Sequence, residues 1–320
     1  MIPIHYEIII NPASGSGKGT QVWKIIQQAL HDQHVSFSDH ISHSAGQPRQ
    51  IVLQLLQSPA FHPDCIIVIG GDGTLHEVIS GLMQAKQNVP IPVAYIPVGT
   101  GNDFARGYGI STNPTQALQQ ILNNHQIHTI NIGKFKNNDE RGIFINNFGI
   151  GFDAAIVHQT NASKMKRFLN HHHLGSLSYI SKAIGVLIHQ PSFNVQVTVD
   201  SHQYHFPNGF LVVSSNHPYI GGGIQVAPDQ KINQTELELV VLEKHDPLSL
   251  LGAIILFAIG KVAHSRFAHI FRGTTIKYQV SPAQHGQIDG EELSPQCFNL
   301  QLSCSSYPFW EEPQIGRAHV

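Results

Sequence analysis

The chain has 320 residues, and because single hydrophobic cores stop growing at about 250 residues, two domains are expected. Charged residues make up 12% of the chain, half the usual share of about 25%, and the formal net charge is −2, which excludes a basic nucleic-acid-binding protein. The cysteines Cys65, Cys297 and Cys304 lack the spacing of a zinc site or a disulfide framework, so they fit a reducing cytosol.

The first third of the chain alternates apolar runs with segments of helical periodicity. Strands are predicted at HYEIIINP, VSFSDHIS, CIIVIG and VAYIPVG, with helices near residues 20 to 32, 46 to 57 and 75 to 86. This alternation predicts a parallel, doubly wound α/β domain over residues 1–130, and ligands bind such sheets beyond the carboxyl ends of the strands.

The pattern changes after about residue 130 to longer stretches in which apolar and polar residues alternate. FNVQVTVD at 193 to 200, followed by a predicted turn at Ser201-His202, is typical of antiparallel strands with one solvated face. We therefore predict a β-rich second domain over residues 131–299.

Residues 11 to 20, NPASGSGKGT, nearly form a phosphate-binding P-loop. Gly17-Lys18 supplies the Gly-Lys pair, but Pro12 stands where the first glycine belongs and Gly19 where the hydroxyl belongs. If the chain handles a nucleotide, another loop must hold the phosphates.

The segment IVIGGDGTLHEVISG, residues 67 to 81, offers that loop. A buried strand ends in Gly70-Gly71-Asp72-Gly73-Thr74 and a helix follows, so backbone amides and the helix N-terminus can face a polyanion. A carboxylate beside phosphates needs a cation between them, and Asp72 therefore implies Mg²⁺. A plain turn with Asp72 as helix cap is the alternative, which the full five-residue run disfavours.

Two further segments carry polar groups at turns. IPVGTGNDFAR, residues 96 to 106, places Thr100, Asn102 and Asp103 after a strand, although Asn-Asp is also an ordinary helix-capping pair. HGQIDGEEL, residues 285 to 293, fits a hairpin turn followed by Glu291, whose carboxylate can accept a proton from an attacking alcohol. An exposed surface turn is the alternative for this last motif.

The segments 67 to 81, 96 to 106 and 285 to 293, taken in this order, resemble the motifs of the diacylglycerol kinase catalytic family. The resemblance is specifically to its soluble bacterial lipid kinases, which include sphingosine and ceramide kinase relatives. NPASGSGKG, NNFGIGFDAAI at 146 to 156 and GGGIQVAPD at 221 to 229 extend the resemblance over most of the chain. It implies an α/β domain like those of NAD kinases and phosphofructokinases, a β-sandwich domain, and ATP in the cleft between them. It also implies that a last strand, at about 300 to 320, returns to the first domain.

The resemblance also implies roles for individual residues. The predicted nucleotide-binding residues, including Asn102 and Asp103 from their own motif, are Asn11, Pro12, Ala13, Ser14, Gly15, Ser42, Gly71, Asp72, Gly73, Thr74, Leu75, His76, Glu77, Thr100, Asn102 and Asp103. Asp72 positions Mg²⁺ with ATP, and Glu291 is the general base.

One loop departs from the family pattern. Soluble bacterial members usually hold a structural Mg²⁺ with an Asp and two backbone carbonyls after the APD segment, whereas this chain has Gln234-Thr235 there. A neutral amide is a poorer ligand for Mg²⁺ than a carboxylate, so we expect weak or absent metal at Lys231, Gln234 and Glu236.

The sequence therefore predicts an ATP- and Mg²⁺-dependent lipid kinase, with diacylglycerol converted to phosphatidic acid as the leading reaction. An NAD kinase-like enzyme and a nucleotide-binding regulator without turnover are the alternatives. We expect a cytoplasmic protein that docks reversibly on membranes, with candidate contacts at KMKRF (164 to 168) and at the apolar segment 248 to 260, which is shorter than the about 20 residues that span a bilayer. By analogy with bacterial relatives, we also expect a homodimer.

Overall fold

The computed structural model describes residues 4–58, 61–85, 87–124, 126–152, 154–155, 190–244, 246, 252, 255–257 and 259–310. The chain divides into two compact units, Met1–Asn131 with Ser306–Val320, and Ile132–Ser305. The KMKRF segment lies outside the described residues, and so do residues 248–251, 253, 254 and 258 of the apolar segment 248 to 260.

The first unit alternates strands and helices around a parallel sheet. Its elements are β1 (His5–Ile10), α1 (Ser14–Asp32), β2 (Ser36–Ile41), α2 (Gln47–Leu55), β3 (Cys65–Gly70), α3 (Asp72–Gln84), β4 (Val93–Pro97), α4 (Asp103–Tyr108) and α5 (Pro114–Leu122). The strand order is β4-β3-β1-β2. Since β2 lies on one side of β1 and β3 on the other, the order reverses between β1 and β3, which is where doubly wound sheets bind ligands.

Two helices of this unit begin earlier than the apolar pattern predicts. α3 begins at Asp72, three residues before the predicted start at 75, because its first turn carries only polar and glycine residues and therefore gives no periodic signal. α1 is assigned from Ser14, but Gly15, Ser16 and Gly17 have positive φ angles, so its regular part lies beyond them, close to the predicted start at 20.

The last described strand completes the parallel sheet. β15 (Glu291–Phe309) begins in the second unit, and its final residues, from Ser306, belong to the first, where Phe309 pairs in parallel with Val93 of β4. The Phe309 ring packs against Phe104 and Tyr108 with centroid distances of 5.3 and 4.9 Å. This strand therefore covers the β4 edge and anchors α4.

The second unit is an antiparallel β structure. Besides most of β5 (His128–Asn137), it contains β6 (Glu140–Phe144), β7 (Asn147–Gly151), β8 (Phe193–Val199), β9 (His202–Ser215), β10 (Tyr219–Ile220), β11 (Ile224–Gln225), β12 (Leu237–Glu243), β13 (Ala268–Gly273), β14 (Thr275–Ile288) and the first part of β15. The main strand order is β13-β12-β9-β7-β14-β15, with β8 pairing with β9 and β14.

The hairpin between β8 and β9 corrects one predicted turn. Asp200 and Ser201 have φ angles of 48° and 67°, and Val199 pairs with His202, so the turn is Asp200-Ser201 and not Ser201-His202. Positive φ at both central residues matches the right-handed twist of the flanking strands. Among the described residues, no helix has the length and apolar character needed to cross a membrane.

Candidate active site

Three loops of the first unit meet at the carboxyl edge of its sheet. A Cβ on Gly15 would lie 2.2 Å from the carbonyl oxygen of Val98, and a Cβ on Gly99 would lie 2.9 Å from Cα of Gly71. The loops after β1, β3 and β4 therefore touch through their backbones, which only glycine permits at these distances. Gly15 also has a φ of +61°, a conformation that side chains disfavour.

Hydrogen bonds tie the same three loops together. The backbone N–H of Asn11 donates to Ile69 at 2.9 Å, and that of Val98 donates to Gly70 at 2.6 Å. The Asn11 side-chain amide donates to the Thr74 hydroxyl at 3.0 Å. Thr74 is buried, so its hydroxyl holds the loop after β1 against the first turn of α3.

Two acidic residues sit at this edge, on neighbouring helix N-termini. The Asp72 carboxylate accepts the backbone N–H of Asp103 at 3.0 Å, and Asp103 is only 6% exposed. Tyr95 donates its hydroxyl to the Gly70 carbonyl at 3.2 Å and lies 3.5 Å from the Asp72 carboxylate. The side-chain oxygen of Asn102 is buried without a hydrogen-bond partner among the described residues. Carboxylate and amide oxygens are the ligand type that Mg²⁺ prefers, but the described residues contain no cluster of three or more His, Cys, Asp or Glu side chains that could hold a metal ion.

The β2 side of the edge contributes one buried hydroxyl and one carboxylate. Ser42 is buried and donates its hydroxyl to Ile10 at 3.0 Å, so that hydroxyl is already engaged within the protein. One oxygen of Glu77 accepts the Gly46 backbone N–H at 2.9 Å, whereas its other oxygen is buried without a partner in the described part of the chain. Glu77 therefore keeps one carboxylate oxygen as an acceptor, whereas the Ser42 hydroxyl has used its donor and can still accept.

The other predicted nucleotide-binding residues divide by exposure. Partly or fully exposed positions at the loops after β1, β3 and β4 are Pro12, Ala13, Ser14, Gly73, His76 and Thr100. Leu75, in contrast, is fully buried in the core, so only its main chain can reach a ligand.

In the second unit, Glu291 follows a turn that is fixed by its aspartate. The Asp289 carboxylate accepts three backbone N–H groups, from Ile145 at 2.8 Å, Asn146 at 2.8 Å and Asn147 at 2.9 Å. Asp289 and Gly290 have φ angles of 51° and 86°, which confirms the predicted Asp-Gly hairpin turn. Glu291, the first residue of β15, is exposed.

A buried histidine contacts the segment to which this turn is hydrogen-bonded. His217 is fully buried, its Nε2 lies 2.6 Å from the side-chain oxygen of Asn146, and its Nδ1 accepts the Tyr219 backbone N–H at 3.2 Å. The ring is therefore neutral, with its proton on Nε2. Burial lowers the pKa of His217 to about 4, and the opposing attraction of Asp289 is the smaller effect.

The loop in which family members hold a structural Mg²⁺, and in which we expect weak or absent metal, lacks a carboxylate at position 234. Gln234 is exposed and neutral, and its backbone N–H donates to the Lys231 carbonyl at 3.0 Å. The Glu236 carbonyl already accepts the Gln230 side-chain amide at 2.6 Å. The carbonyls of Lys231 and Glu236 thus both accept hydrogen bonds from the protein.

Several residues that shape the site were not predicted from the sequence. Val98 and Gly99 act through backbone contacts between distant loops, and Tyr95 acts through its side-chain hydroxyl. Of these three, only the glycine after a strand could be recognised in the sequence. Asn146 and Asn147 belong to a segment that carried the family resemblance without a role, and nothing in the sequence around His217 indicates its contact with Asn146.

A doubly wound sheet with touching glycine loops at its carboxyl edge, and with the Asp72 carboxylate bonded to the Asp103 N–H there, is typical of a phosphate-binding domain. Two family models match the chain: the diacylglycerol kinase catalytic domain over residues 5–135, and the YegS C-terminal NAD kinase beta sandwich-like domain over residues 147–305. The chain belongs to the diacylglycerol kinase catalytic family of lipid kinases, which implies ATP as the phosphoryl donor.

Individual relatives agree with this assignment. The chain is 27% identical over 304 residues to "Putative lipid kinase YtlR" of Bacillus subtilis strain 168, covering 94% of this chain and 97% of that protein. It is 30% identical over 159 residues to "Putative lipid kinase SAR0780" of Staphylococcus aureus strain MRSA252, covering 50% and 48%. A crystal structure of a "putative diacylglycerol kinase" from Bacillus anthracis strain Sterne superposes with a TM-score of 0.73 at 22% identity, covering 98% and 96%. The predicted two-domain fold is confirmed.

Proposed function

We propose that the chain transfers the γ-phosphoryl group of ATP to the free hydroxyl of diacylglycerol, giving phosphatidic acid and ADP. The observation that carries this proposal is the bond from the Asp103 N–H to the Asp72 carboxylate within three touching glycine loops. That arrangement offers backbone amides to phosphates and carboxylate oxygens to the cation that accompanies them. The likeness to lipid kinases supports a lipid as the acceptor.

In the proposed reaction, the diacylglycerol oxygen forms a bond to the γ-phosphorus as the bond from that phosphorus to the bridging oxygen breaks. ADP keeps the bridging oxygen, and Glu291 takes the hydroxyl proton. Backbone amides at the start of α3 stabilise the charge that develops on the transferring group. Mg²⁺ bound with ATP, held by Asp72, would neutralise part of the phosphate charge.

We further propose that the enzyme works in the cytoplasm, associates reversibly with membranes and forms a homodimer. Reversible docking is supported by the substrate class, since diacylglycerol remains in a bilayer. The enzyme must therefore reach the bilayer surface to use this substrate.

The test is transfer of labelled phosphate from ATP to diacylglycerol in mixed micelles, with Mg²⁺ and with EDTA. Glu291→Gln removes the proposed base while keeping size and shape, so kcat should fall about 10²- to 10⁴-fold with ATP binding unchanged. Glu292→Gln is the matched control, because it makes the same chemical change at the neighbouring exposed position.

Absence of Mg²⁺-dependent product from the parent chain, despite saturable ATP binding, would contradict diacylglycerol as the substrate. A panel of other lipid hydroxyls would follow, with NAD included as acceptor. Failure of every acceptor would favour a nucleotide-binding regulator. Equal losses in Glu291→Gln and Glu292→Gln would contradict the assignment of the base.

A further inference from the structure

Two isoleucines project from one helical turn of the second unit. Ile255 is 53% exposed and Ile259 is 59% exposed, and the Ile259 backbone N–H donates to the Ile255 carbonyl at 3.0 Å. Residues four positions apart along a helical turn lie on the same face. The pair therefore forms one continuous apolar patch.

The turn that presents this patch is firmly built. Phe257, between the two isoleucines, is only 3% exposed and packs edge-on against Phe152 with ring centroids 5.8 Å apart. At its end, Gly260 has a φ of +70°, its N–H donates to Phe257, and the Lys261 N–H donates to Leu256. This double hydrogen bond is the Schellman cap. The isoleucines are exposed because the opposite face of the turn is already in the core.

Two basic side chains follow the patch in the sequence. Lys261 and Arg266 are exposed, and the Arg266 guanidinium lies 4.6 Å from the centroid of the Phe267 ring. No aspartate or glutamate occurs in the sequence between Asp246 and Asp289. The carboxylate of Glu243, on the neighbouring strand, is contacted by His269 at 3.1 Å. An apolar patch that is followed in sequence by two positive charges complements a surface with an apolar interior and anionic groups above it.

We propose that Ile255, Ile259, Lys261 and Arg266 form a docking face for a bilayer that contains anionic phospholipids. The two isoleucines enter the boundary between headgroups and acyl chains, and the two cations contact lipid phosphates. The choice of a bilayer as the partner rests on the proposed lipid kinase function. The choice of these four residues, in contrast, rests only on their exposure and charge.

The test is co-sedimentation of the full chain, without ATP, with vesicles of phosphatidylcholine containing a minor share of phosphatidylglycerol. The double variant Ile255→Glu/Ile259→Glu should lower vesicle binding at least about tenfold, because two apolar side chains are replaced by charges that the lipid repels. Val89→Glu/Ile127→Glu makes the same change at two exposed apolar positions of the first unit and should leave binding within about twofold.

The charge contribution is tested separately. Lys261→Ala and Arg266→Ala should each weaken binding about fivefold to vesicles with phosphatidylglycerol, since a basic residue near an anionic surface contributes about 1 kcal/mol. Binding to pure phosphatidylcholine should change little. Ile255→Ser/Ile259→Ser, which adds no charge, should also lose binding, and an unchanged thermal unfolding midpoint in that variant would exclude misfolding as the cause.

Equal vesicle binding by the parent and both isoleucine variants would overturn the proposal. A lipid-free dimer that dissociates in Ile255→Glu/Ile259→Glu would overturn it too, because the face would then bind a second copy. Phosphorylation of dispersed short-chain diacylglycerol distinguishes docking from function. Loss of vesicle binding with retained short-chain activity supports both proposals, whereas vesicle binding without phosphorylation of any lipid supports docking and contradicts the kinase reaction.

Discussion

Asp289 and Asn147 are joined by hydrogen bonds in both directions. The Asn147 backbone N–H donates to the Asp289 carboxylate at 2.9 Å, and the Asp289 backbone N–H donates to the Asn147 carbonyl at 3.0 Å. Since Glu291 follows two residues later, this pair fixes the chain from which the proposed base projects.

We therefore predict that Asp289→Asn lowers kcat about 10- to 100-fold and leaves ATP affinity unchanged. The carboxylate accepts N–H groups on both oxygens, and a carboxamide would turn an N–H donor toward one of them, which costs about 1–3 kcal/mol. Steady-state kinetics with separate ATP and lipid titrations check this. Asp139→Asn, in the exposed turn between β5 and β6, is the control. A rise in KM for ATP in place of the kcat loss would contradict a positioning role.

Asp72→Asn should abolish most activity through weaker binding of Mg²⁺-ATP. The expected loss in kcat/KM is at least about 100-fold, because a neutral amide replaces the carboxylate that we propose as a ligand of the cation. Isothermal titration with Mg²⁺-ATP checks the binding step. Asp64→Asn is the matched control, since the Asp64 carboxylate accepts the His5 backbone N–H at 2.8 Å and lies in the same unit, just before β3. Similar ATP affinity in parent and Asp72→Asn would argue against the assignment.

Gly99→Ala should push the glycine loops apart. The new Cβ would lie 2.9 Å from Gly71 Cα and 2.8 Å from the Asn102 side-chain oxygen, so one loop must move. We expect a destabilisation of about 1–3 kcal/mol and at least tenfold weaker ATP binding, measured by thermal unfolding and nucleotide titration. Gly273→Ala, whose Cβ would meet nothing closer than 3.5 Å, should show neither effect. Unchanged ATP binding in Gly99→Ala would show that the loops do not line the nucleotide.

The buried His217 should make stability depend on pH. Its pKa is about 4 when folded and about 6.5 when unfolded, so the unfolded chain binds the extra proton between these values. The free energy of unfolding is therefore unaffected by His217 above about pH 6.5 and decreases as the pH falls from 6.5 toward 4. By pH 5 the decrease is about 2 kcal/mol.

Urea unfolding at pH 7 and pH 5 measures this effect. His217→Gln should lose about 2 kcal/mol less than the parent over this interval, because its side chain does not titrate. His264→Gln, which removes an exposed histidine, should behave like the parent. Identical pH dependence in parent and His217→Gln would contradict the lowered pKa.

Gln234→Asp should create or strengthen a Mg²⁺ site in the loop between β11 and β12. A carboxylate is the hard ligand that this loop lacks, so Mg²⁺ without nucleotide should raise the unfolding midpoint of Gln234→Asp and not that of the parent. Gln234→Asn keeps a neutral amide and serves as the control. Clear Mg²⁺ stabilisation of the parent and of Gln234→Asn would contradict the expectation that the parent binds metal weakly.

The strands and loops of the first unit could be predicted because their signals are local. CIIVIG is buried along its whole length, so its composition alone identifies it as an interior strand. The glycines after β1, β3 and β4 lie where parallel strands end, which places them at one edge without knowledge of the contacts. The start of α3 was misplaced because Asp72, Gly73 and Thr74 carry no apolar periodicity.

The supporting contacts could not be predicted, because they join residues that are far apart in sequence. His217 and Asn146 are 71 positions apart, and Asp289 and Ile145 are 144 apart, so no local pattern reports them. The Ser42 hydroxyl, which donates to the carbonyl of Ile10, 32 positions away, is another contact that no local pattern reports. Burial and partner choice are decided by the fold as a whole.

The return of β15 to the first unit sets an order of assembly during synthesis. Tyr307 donates its hydroxyl to the carbonyl of Ile91, and these residues are 216 positions apart. A ribosome therefore produces all of the second unit before it produces the strand that covers β4. Until then, Phe104 and Tyr108 lack the Phe309 ring against which they pack. The nucleotide-binding unit, although it is translated first, is the last to be completed.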